Sequence, residues 1–85
     1  MRHLKSSDFR KLFDTLPAEV QAQARKQFEL VKINPRHPSL RFKKVGDIWS
    51  VRVSTNYRAL AEPVDGGFYW YWIGSHAEYN RLIRG

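Results

Sequence analysis

The sequence has no cysteine among its 85 residues, which excludes both a disulfide framework and a thiolate metal site. Its three histidines, His3, His37 and His76, are scattered and form no pair with metal-ligand spacing, so no zinc site is expected. The sequence also lacks a glycine-rich phosphate loop, a nucleophile elbow and an acidic pair at strand ends of the kind that a magnesium nuclease needs. Any chemistry in this chain is therefore expected to proceed without a metal or cofactor.

Long apolar runs are absent as well. No run approaches the about 18 residues of a transmembrane helix. The opening residues MRHLKSSDF contain no apolar core of the signal-peptide type. The length fits one domain, which we take as residues 1–85. We expect a soluble, cytoplasmic protein that makes no contact with a membrane.

Acidic residues are few relative to basic ones. Eight Asp and Glu face fifteen Lys and Arg, which gives a formal net charge of +7 and a pI near 10.2. Such a balance favours a polyanionic partner, either a nucleic acid or an acidic protein. It can also serve only to keep the protein soluble.

The first half of the sequence predicts two helices joined by a tight turn. Phe9, Leu12 and Phe13 recur at helical spacing behind a serine cap. Pro17 suits the first position of a second helix, which is predicted over residues 18–33 and ends before the next proline.

The second half predicts four strands, over residues 39–45, 48–54, 57–63 and 68–74. The last strand is apolar at nearly every position, which indicates burial on both faces and a central place in the sheet. The predicted fold class is α+β, with the two-helix hairpin packed on a small antiparallel four-stranded meander sheet and a short helix at the C-terminal end.

A candidate site follows the last strand, in the stretch WIGSHAEY. Ser75 and Glu78 have the spacing of a capping box, which predicts that a helix begins here. His76 and Tyr79 then lie one turn apart on one face of that helix, and His76 is a candidate general base. The ordinary alternative is a polar first-turn residue followed by a tyrosine that packs on the sheet.

Basic residues on the strands supply a second candidate feature. Arg52 alternates away from the strand face predicted to meet the helices, and Arg58 begins the next strand. Arg41, Lys43 and Lys44 precede the first hairpin. A guanidinium fork matches two phosphate oxygens and stays charged. These residues could bind phosphates, or they could form a merely solvated face.

Two stretches resemble the RelE/ParE superfamily of bacterial toxins from toxin–antitoxin operons. They are NPRHPSLRFKKVGDIWSVRVSTNYRALA and FYWYWIGSHAEYNRLI, residues 34–61 and 68–83. The likeness covers roughly residues 9 to 83, and its most specific parts are YRAL and WIGSHAEY. It implies two helices packed on a small antiparallel sheet, in agreement with the architecture predicted from the residues. Members usually begin with a β-strand, but MRHLKSS is short and polar, so this strand is expected to be stunted or absent.

The resemblance also implies an activity and site residues. Many members are ribosome-dependent endoribonucleases that cut mRNA and are silenced by a cognate antitoxin. By this resemblance Arg58, His76 and Tyr79 are the expected catalytic residues, and Lys43, Lys44 and Arg52 correspond to the family's basic strand residues. Together with Arg41, which lies one alternation step from Lys43, these three are the expected RNA-binding residues. We therefore expect metal-independent mRNA cleavage by attack of a 2′-hydroxyl, with the antitoxin, mRNA and the ribosome as partners. The alternatives are a non-catalytic DNA gyrase inhibitor of the ParE branch, or an inactive member that only binds nucleic acid or antitoxin.

Overall fold

Residues 1–84 are described by a computed structural model, in which one sheet carries helices on both faces. In chain order the elements are β1 (Arg2–Lys5), α1 (Ser7–Asp14), α2 (Ala18–Ile33), a 3₁₀ helix (Pro38–Leu40), β2 (Lys43–Val45), β3 (Ile48–Ser54), β4 (Tyr57–Val64), β5 (Gly67–Ser75) and α3 (His76–Arg84). Within these residues, every helix is too short or too polar to cross a lipid bilayer.

The first two helices form as the sequence predicts. The Ser6 hydroxyl caps α1 by accepting a hydrogen bond of 3.0 Å from the backbone N–H of Phe9. Helix α2 begins directly after Pro17 and spans the predicted residues 18–33. Its buried residues recur at helical spacing and pack on the sheet: Val20, Ala24, Phe28 and Val31. Burial of this apolar stripe is what stabilises the helix, since propensity alone contributes little.

The predicted α+β architecture is confirmed, with one correction to the sheet. It has five strands rather than four, in the order β1-β5-β4-β3-β2. Strands β2 to β5 form the predicted antiparallel meander, and β1 adds to the edge of β5 in parallel. The sheet is therefore mixed.

Strand β1 forms despite its polar sequence because alternate side chains pack towards the helices. His3 and Lys5 are the Cα partners of Phe68 and Trp70 on β5. The indole Nε1 of Trp70 donates a hydrogen bond of 3.1 Å to His3 Nδ1, and the Lys5 ammonium lies 5.2 Å from the centroid of the Phe28 ring. Long polar side chains can cover apolar surface with their stems. A strand built in this way has no hydrophobic alternation to reveal it.

The segment predicted as the first strand of the meander is mostly not a strand. Pro38–Leu40 forms a 3₁₀ helix, and Arg41 then takes a left-handed conformation with φ of 43°. Only Lys43–Val45 pairs with β3. The backbone hydrogen bonds explain the difference, because the N–H groups of Leu40 and Arg41 donate to the carbonyl oxygens of His37 and Pro38 and are not available to a ladder.

Strand β5 was predicted to have a central place in the sheet. It lies inside the sheet, between β1 and β4, but the middle strand of the five is β4. The pairing with β4 skips Tyr71, which forms a bulge between Trp70 and Trp72. Trp70 is fully buried, whereas Tyr69 is 36% exposed and Trp72 is partly exposed. The expectation that this strand is buried on both faces is thus corrected: one of its faces is partly open.

The two faces of the sheet differ in chemistry. The inner face meets α1 and α2 and holds most of the apolar core, including Val51, Val53 and Trp70. We call the opposite side the outer face. Helix α3 lies on this outer face. Its Tyr79 hydroxyl contacts Ser50, whose side chain points away from the inner face because Ser50 is next to the core residue Val51 on β3. The outer face is where the candidate site residues gather.

Candidate active site

Basic side chains gather on the outer face, near the turn that joins β3 and β4. Arg52 and Arg58 are Cα partners across these strands, and both alternate away from the core residues beside them. Lys43 is the Cα partner of Ser50 and shares its face. Arg41 lies close enough to lower the pKa of Arg58. We call Arg41, Lys43, Arg52 and Arg58 the cationic face.

The guanidinium of Arg58 is fixed by the β3–β4 turn. Its Nη1 donates hydrogen bonds to the carbonyl oxygens of Ser54, at 2.7 Å, and of Tyr57, at 2.9 Å. Partial burial lowers the pKa of Arg58 below its usual value; Arg52 lowers it further, and Tyr79 acts in the opposite direction. Because an arginine has five N–H donors, this arrangement leaves Nη2 and Nε to bind an anion. The charge is held in place before any ligand arrives.

His76 is fixed by the start of α3. Its backbone N–H donates to the carbonyl oxygen of Asn56 at 2.7 Å, which ties the helix start to the β3–β4 turn. The predicted capping box is present. The Glu78 N–H donates to Ser75 Oγ at 3.1 Å, and the Ser75 N–H donates to Glu78 Oε1 at 3.2 Å. The imidazole itself is exposed to solvent.

Tyr79 lies between His76 and the sheet. Its ring stacks on the imidazole, with centroids 5.9 Å apart and planes inclined by 20°. The tyrosine is only 5% exposed, and its hydroxyl donates to Ser50 Oγ at 3.3 Å. The phenol therefore faces the sheet, whereas its ring supports the imidazole.

Arg58 and His76 thus lie at the same end of the outer face. Gly74 is the Cα partner of Arg58, and His76 follows two residues later on the same strand exit. Tyr79 contacts His76 and lies close enough to Arg58 to affect its pKa. Every predicted site residue except one lies in this region. The exception is Lys44, the Cα partner of Trp49, whose ring packs with inner-face aromatics.

The sequence predicts the short β3–β4 turn but not that this turn fixes the two arginines beside it. Its carbonyl groups hold Arg58, and the hydroxyl of Thr55 accepts a hydrogen bond of 3.2 Å from Arg52 Nη2. The sequence signal was the short connection Thr55–Asn56 between two strands that each carry an arginine. Such a turn brings the two arginines opposite each other and can also orient them.

A groove of about 600 Å³ adjoins this end of the sheet, between α2 and the β3–β4 turn. Its lining is mostly polar and includes Gln23, Gln27, Arg52 and Asn56. Amides and hydroxyls of this kind can hydrogen-bond to a ligand that extends from the cationic face. Within residues 1–84, no three histidine, aspartate or glutamate side chains are arranged to hold a metal ion.

The fold has close counterparts among solved structures. The RelE chain in the RelB–RelE antitoxin–toxin complex of Methanococcus jannaschii superposes with a TM-score of 0.73 at 14% identity, over 93% of this chain and 96% of that one. YafQ of E. coli has a TM-score of 0.73 at 12% identity, with 92% and 96% covered. A YoeB/ParE toxin of Agrobacterium tumefaciens has a TM-score of 0.70 at 12% identity, with 89% and 99% covered. At these identities the likeness shows the shared fold.

Sequence comparison identifies the family. No curated protein matches the chain. The family model described as the ParE-like toxin domain, however, matches residues 18–81, which include all of α2, the meander and most of α3. This match covers well over half of the chain and agrees with the fold. The protein therefore belongs to the ParE-like toxin domain family, within the RelE/ParE superfamily of toxins.

Proposed function

We propose that this protein is the toxin of a type II toxin–antitoxin pair and a ribosome-associated endoribonuclease that cleaves mRNA. The observation that carries the proposal is the placement of Arg58 and His76 at one end of the outer face, with Tyr79 stacked on His76. A fixed cation and an exposed imidazole beside each other are what cleavage of a phosphodiester requires in the absence of a metal.

The proposed reaction begins with attack of a ribose 2′-hydroxyl on the neighbouring phosphorus. The 2′-oxygen forms a bond to phosphorus while the bond to the 5′-oxygen breaks, which leaves a cyclic phosphate and a free 5′-hydroxyl. One group must accept the proton of the 2′-hydroxyl, and one must donate a proton to the departing oxygen. His76 is exposed and can take either part.

Arg58 stabilises the negative charge that accumulates on the phosphoryl oxygens in this reaction. Its position is already fixed by the turn carbonyls, so little reorganisation is needed when the substrate binds. Arg52, Arg41 and Lys43 extend the positive surface along which the flanking phosphates lie. Lys44 faces the other way and is proposed to contribute only general charge.

We assign Tyr79 a positioning role within this proposal. Its hydroxyl is buried and donates a hydrogen bond to Ser50, and its ring stacks on the imidazole of His76. In this position it orients His76 and keeps it beside Arg58. Direct proton transfer by Tyr79 would require the hydroxyl to leave the sheet.

A cognate antitoxin is the proposed protein partner. The support is that RelE of M. jannaschii was solved in complex with the antitoxin RelB. The net charge of +7 favours an acidic segment that covers the cationic face. The interaction is expected to weaken as the salt concentration rises.

One observation favours a second candidate function. The matching family model is named for ParE, and the ParE branch inhibits DNA gyrase. A gyrase inhibitor would cause a DNA-damage response and leave mRNA intact.

Mapping of mRNA ends after induction of the protein in bacterial cells tests the proposal. We expect new ends within translated codons for the wild type and for Lys44→Ala, the control on the opposite face. Arg58→Ala and His76→Ala should each remove them, since one such group contributes about 10²–10⁴-fold to the rate. Full toxicity of both variants would refute the catalytic assignment, and DNA damage without mRNA cuts would establish the gyrase function.

A further inference from the structure

The backbone at residue 74 leaves room for an indole ring. A Cβ atom at Gly74 would lie 2.5 Å from Cζ2 of Trp72, 3.0 Å from Cη2 and 3.2 Å from Cε2. The six-membered ring of Trp72 therefore occupies the space of the missing side chain. Gly74 is buried, and no left-handed backbone conformation calls for a glycine there. The contact with Trp72 is thus the reason for glycine at this position.

This ring lies beside the proposed phosphate-binding group. Gly74 is the Cα partner of Arg58, and Trp72 is the Cα partner of Leu60, the next outer-face position along β4. Side chains opposite each other on one face of a sheet have Cβ atoms about 4.5–5.5 Å apart. The indole therefore extends along β5 towards His76 and adjoins the base of the Arg58 side chain.

The inner-face core does not account for the position of Trp72. Trp70 is fully buried, and Trp49 packs with Phe42 and Phe68 on the inner face. Trp72 lies on the outer face, is partly exposed, and belongs to no aromatic pair among residues 1–84. A partly exposed aromatic ring among cations is the combination that binds single-stranded nucleic acids, because bases stack on the ring while phosphates meet the charges.

We propose that Trp72 is a stacking site for an unpaired nucleobase next to the phosphate held by Arg58. The glycine at position 74 lets the indole lie flat against β5, opposite the strand position of Arg58. This site deepens the proposed function and rests on it, since it places the base that flanks the cleaved phosphate. A purine is the preferred occupant because it offers the larger ring surface.

Fluorescence titration with a short single-stranded oligodeoxyadenylate tests the proposal. This probe lacks the 2′-hydroxyl and cannot be cleaved by the proposed reaction, so binding is measured apart from catalysis. Stacking should quench the tryptophan emission of the wild type. Trp72→Leu should lose this quenching and bind at least about fivefold more weakly, since stacking contributes about 1–3 kcal/mol per base.

Three matched variants complete the experiment. Trp49→Phe removes an inner-face tryptophan and should keep the quenching. Trp72→Phe should lose the quenching while keeping more affinity than Trp72→Leu, because a smaller ring remains. Gly74→Ala retains the indole but displaces it, and should weaken binding as well. Thermal unfolding of each variant shows whether it is folded.

The outcomes separate this site from the proposed ribonuclease activity. Equal affinity of folded Trp72→Leu and the wild type would overturn the stacking site, as would a wild type whose emission the probe leaves unchanged. A protein that binds the probe through Trp72 but never cleaves RNA would instead overturn the ribonuclease proposal and leave the stacking site intact.

Discussion

At the residue scale, Arg58 shows how a strand position becomes a candidate site. Alternation along β4 sends its side chain to the outer face, and the carbonyl oxygens of Ser54 and Tyr57 then hold one end of the guanidinium. An arginine on a strand usually extends into solvent and loses side-chain entropy when it binds a phosphate. Here the protein has already fixed the group. The remaining N–H donors of Arg58, on Nη2 and Nε, can bind a ligand on the cationic face.

Tyr79 provides a test at the same scale. Because its hydroxyl is bonded to Ser50 and its ring carries His76, Tyr79→Phe should cleave RNA within about threefold of the wild-type rate, well below the 10²–10⁴-fold effect of a lost acid or base. Single-turnover cleavage on ribosomes measures this.

The control for that test is Tyr79→Leu, which removes the aromatic ring and with it the support of the imidazole. It should lose more activity than Tyr79→Phe. If folded Tyr79→Phe is about 10²-fold slower than the wild type, the hydroxyl takes part in proton transfer and the positioning role is wrong.

At the element scale, the periodic elements were predictable and the irregular ones were not. Helix α2 and strand β3 have the predicted bounds, because apolar residues recur there at helical spacing in one and at every second residue in the other. Strand β1 has no such pattern, since it packs through His3 and Lys5. Its existence depends on β5, a partner more than sixty positions away along the chain, and no local signal reports that pairing.

In the candidate site too, some residues could be located from local sequence pattern and others only from the pairing of strands. The strand exit and capping box locate His76 and Tyr79 from sequence alone. The face on which each lysine of β2 lies is set by the register with β3. That register pairs Lys43 with Ser50 and Lys44 with Trp49, on opposite faces. Adjacent residues of a strand cannot share a face, so only one of the two could join the cationic face.

His3 gives β1 a measurable pH dependence. Burial lowers the pKa of His3 below its usual value, and the positive charges of Lys32, the N-terminus and Lys5 lower it further. The unfolded chain therefore binds the proton more readily than the folded chain. The free energy of unfolding should decrease as the pH falls below about 6.5, the ordinary histidine value, towards the lower folded-state pKa.

Urea unfolding at neutral and mildly acidic pH measures this effect, with His3→Asn as the control. The asparagine oxygen can accept the Trp70 hydrogen bond but does not titrate. We expect the wild type to lose more stability than His3→Asn between the two pH values. Equal losses in the two proteins would show that β1 does not depend on a neutral His3.

At the scale of the whole molecule, the net charge indicates a kind of partner but not a site. Basic residues also surround the groove between α1 and α2, where Lys5, Arg10 and Arg25 line an aromatic floor. What distinguishes the cationic face is the fixed guanidinium of Arg58 together with an exposed imidazole. The sheet brings them together by pairing β4 with β5 and by starting α3 directly after that pairing.

Cleavage of ribosome-bound mRNA by Arg58→Ala, His76→Ala and the double variant tests most directly whether these groups act on one phosphodiester. We predict that each single change lowers the single-turnover rate by at least about 10²-fold. The double variant should be little slower than the slower single variant, because residues that act as a unit are not additive. Folded single variants that cleave at close to the wild-type rate, or losses that multiply fully in the double variant, would contradict the account.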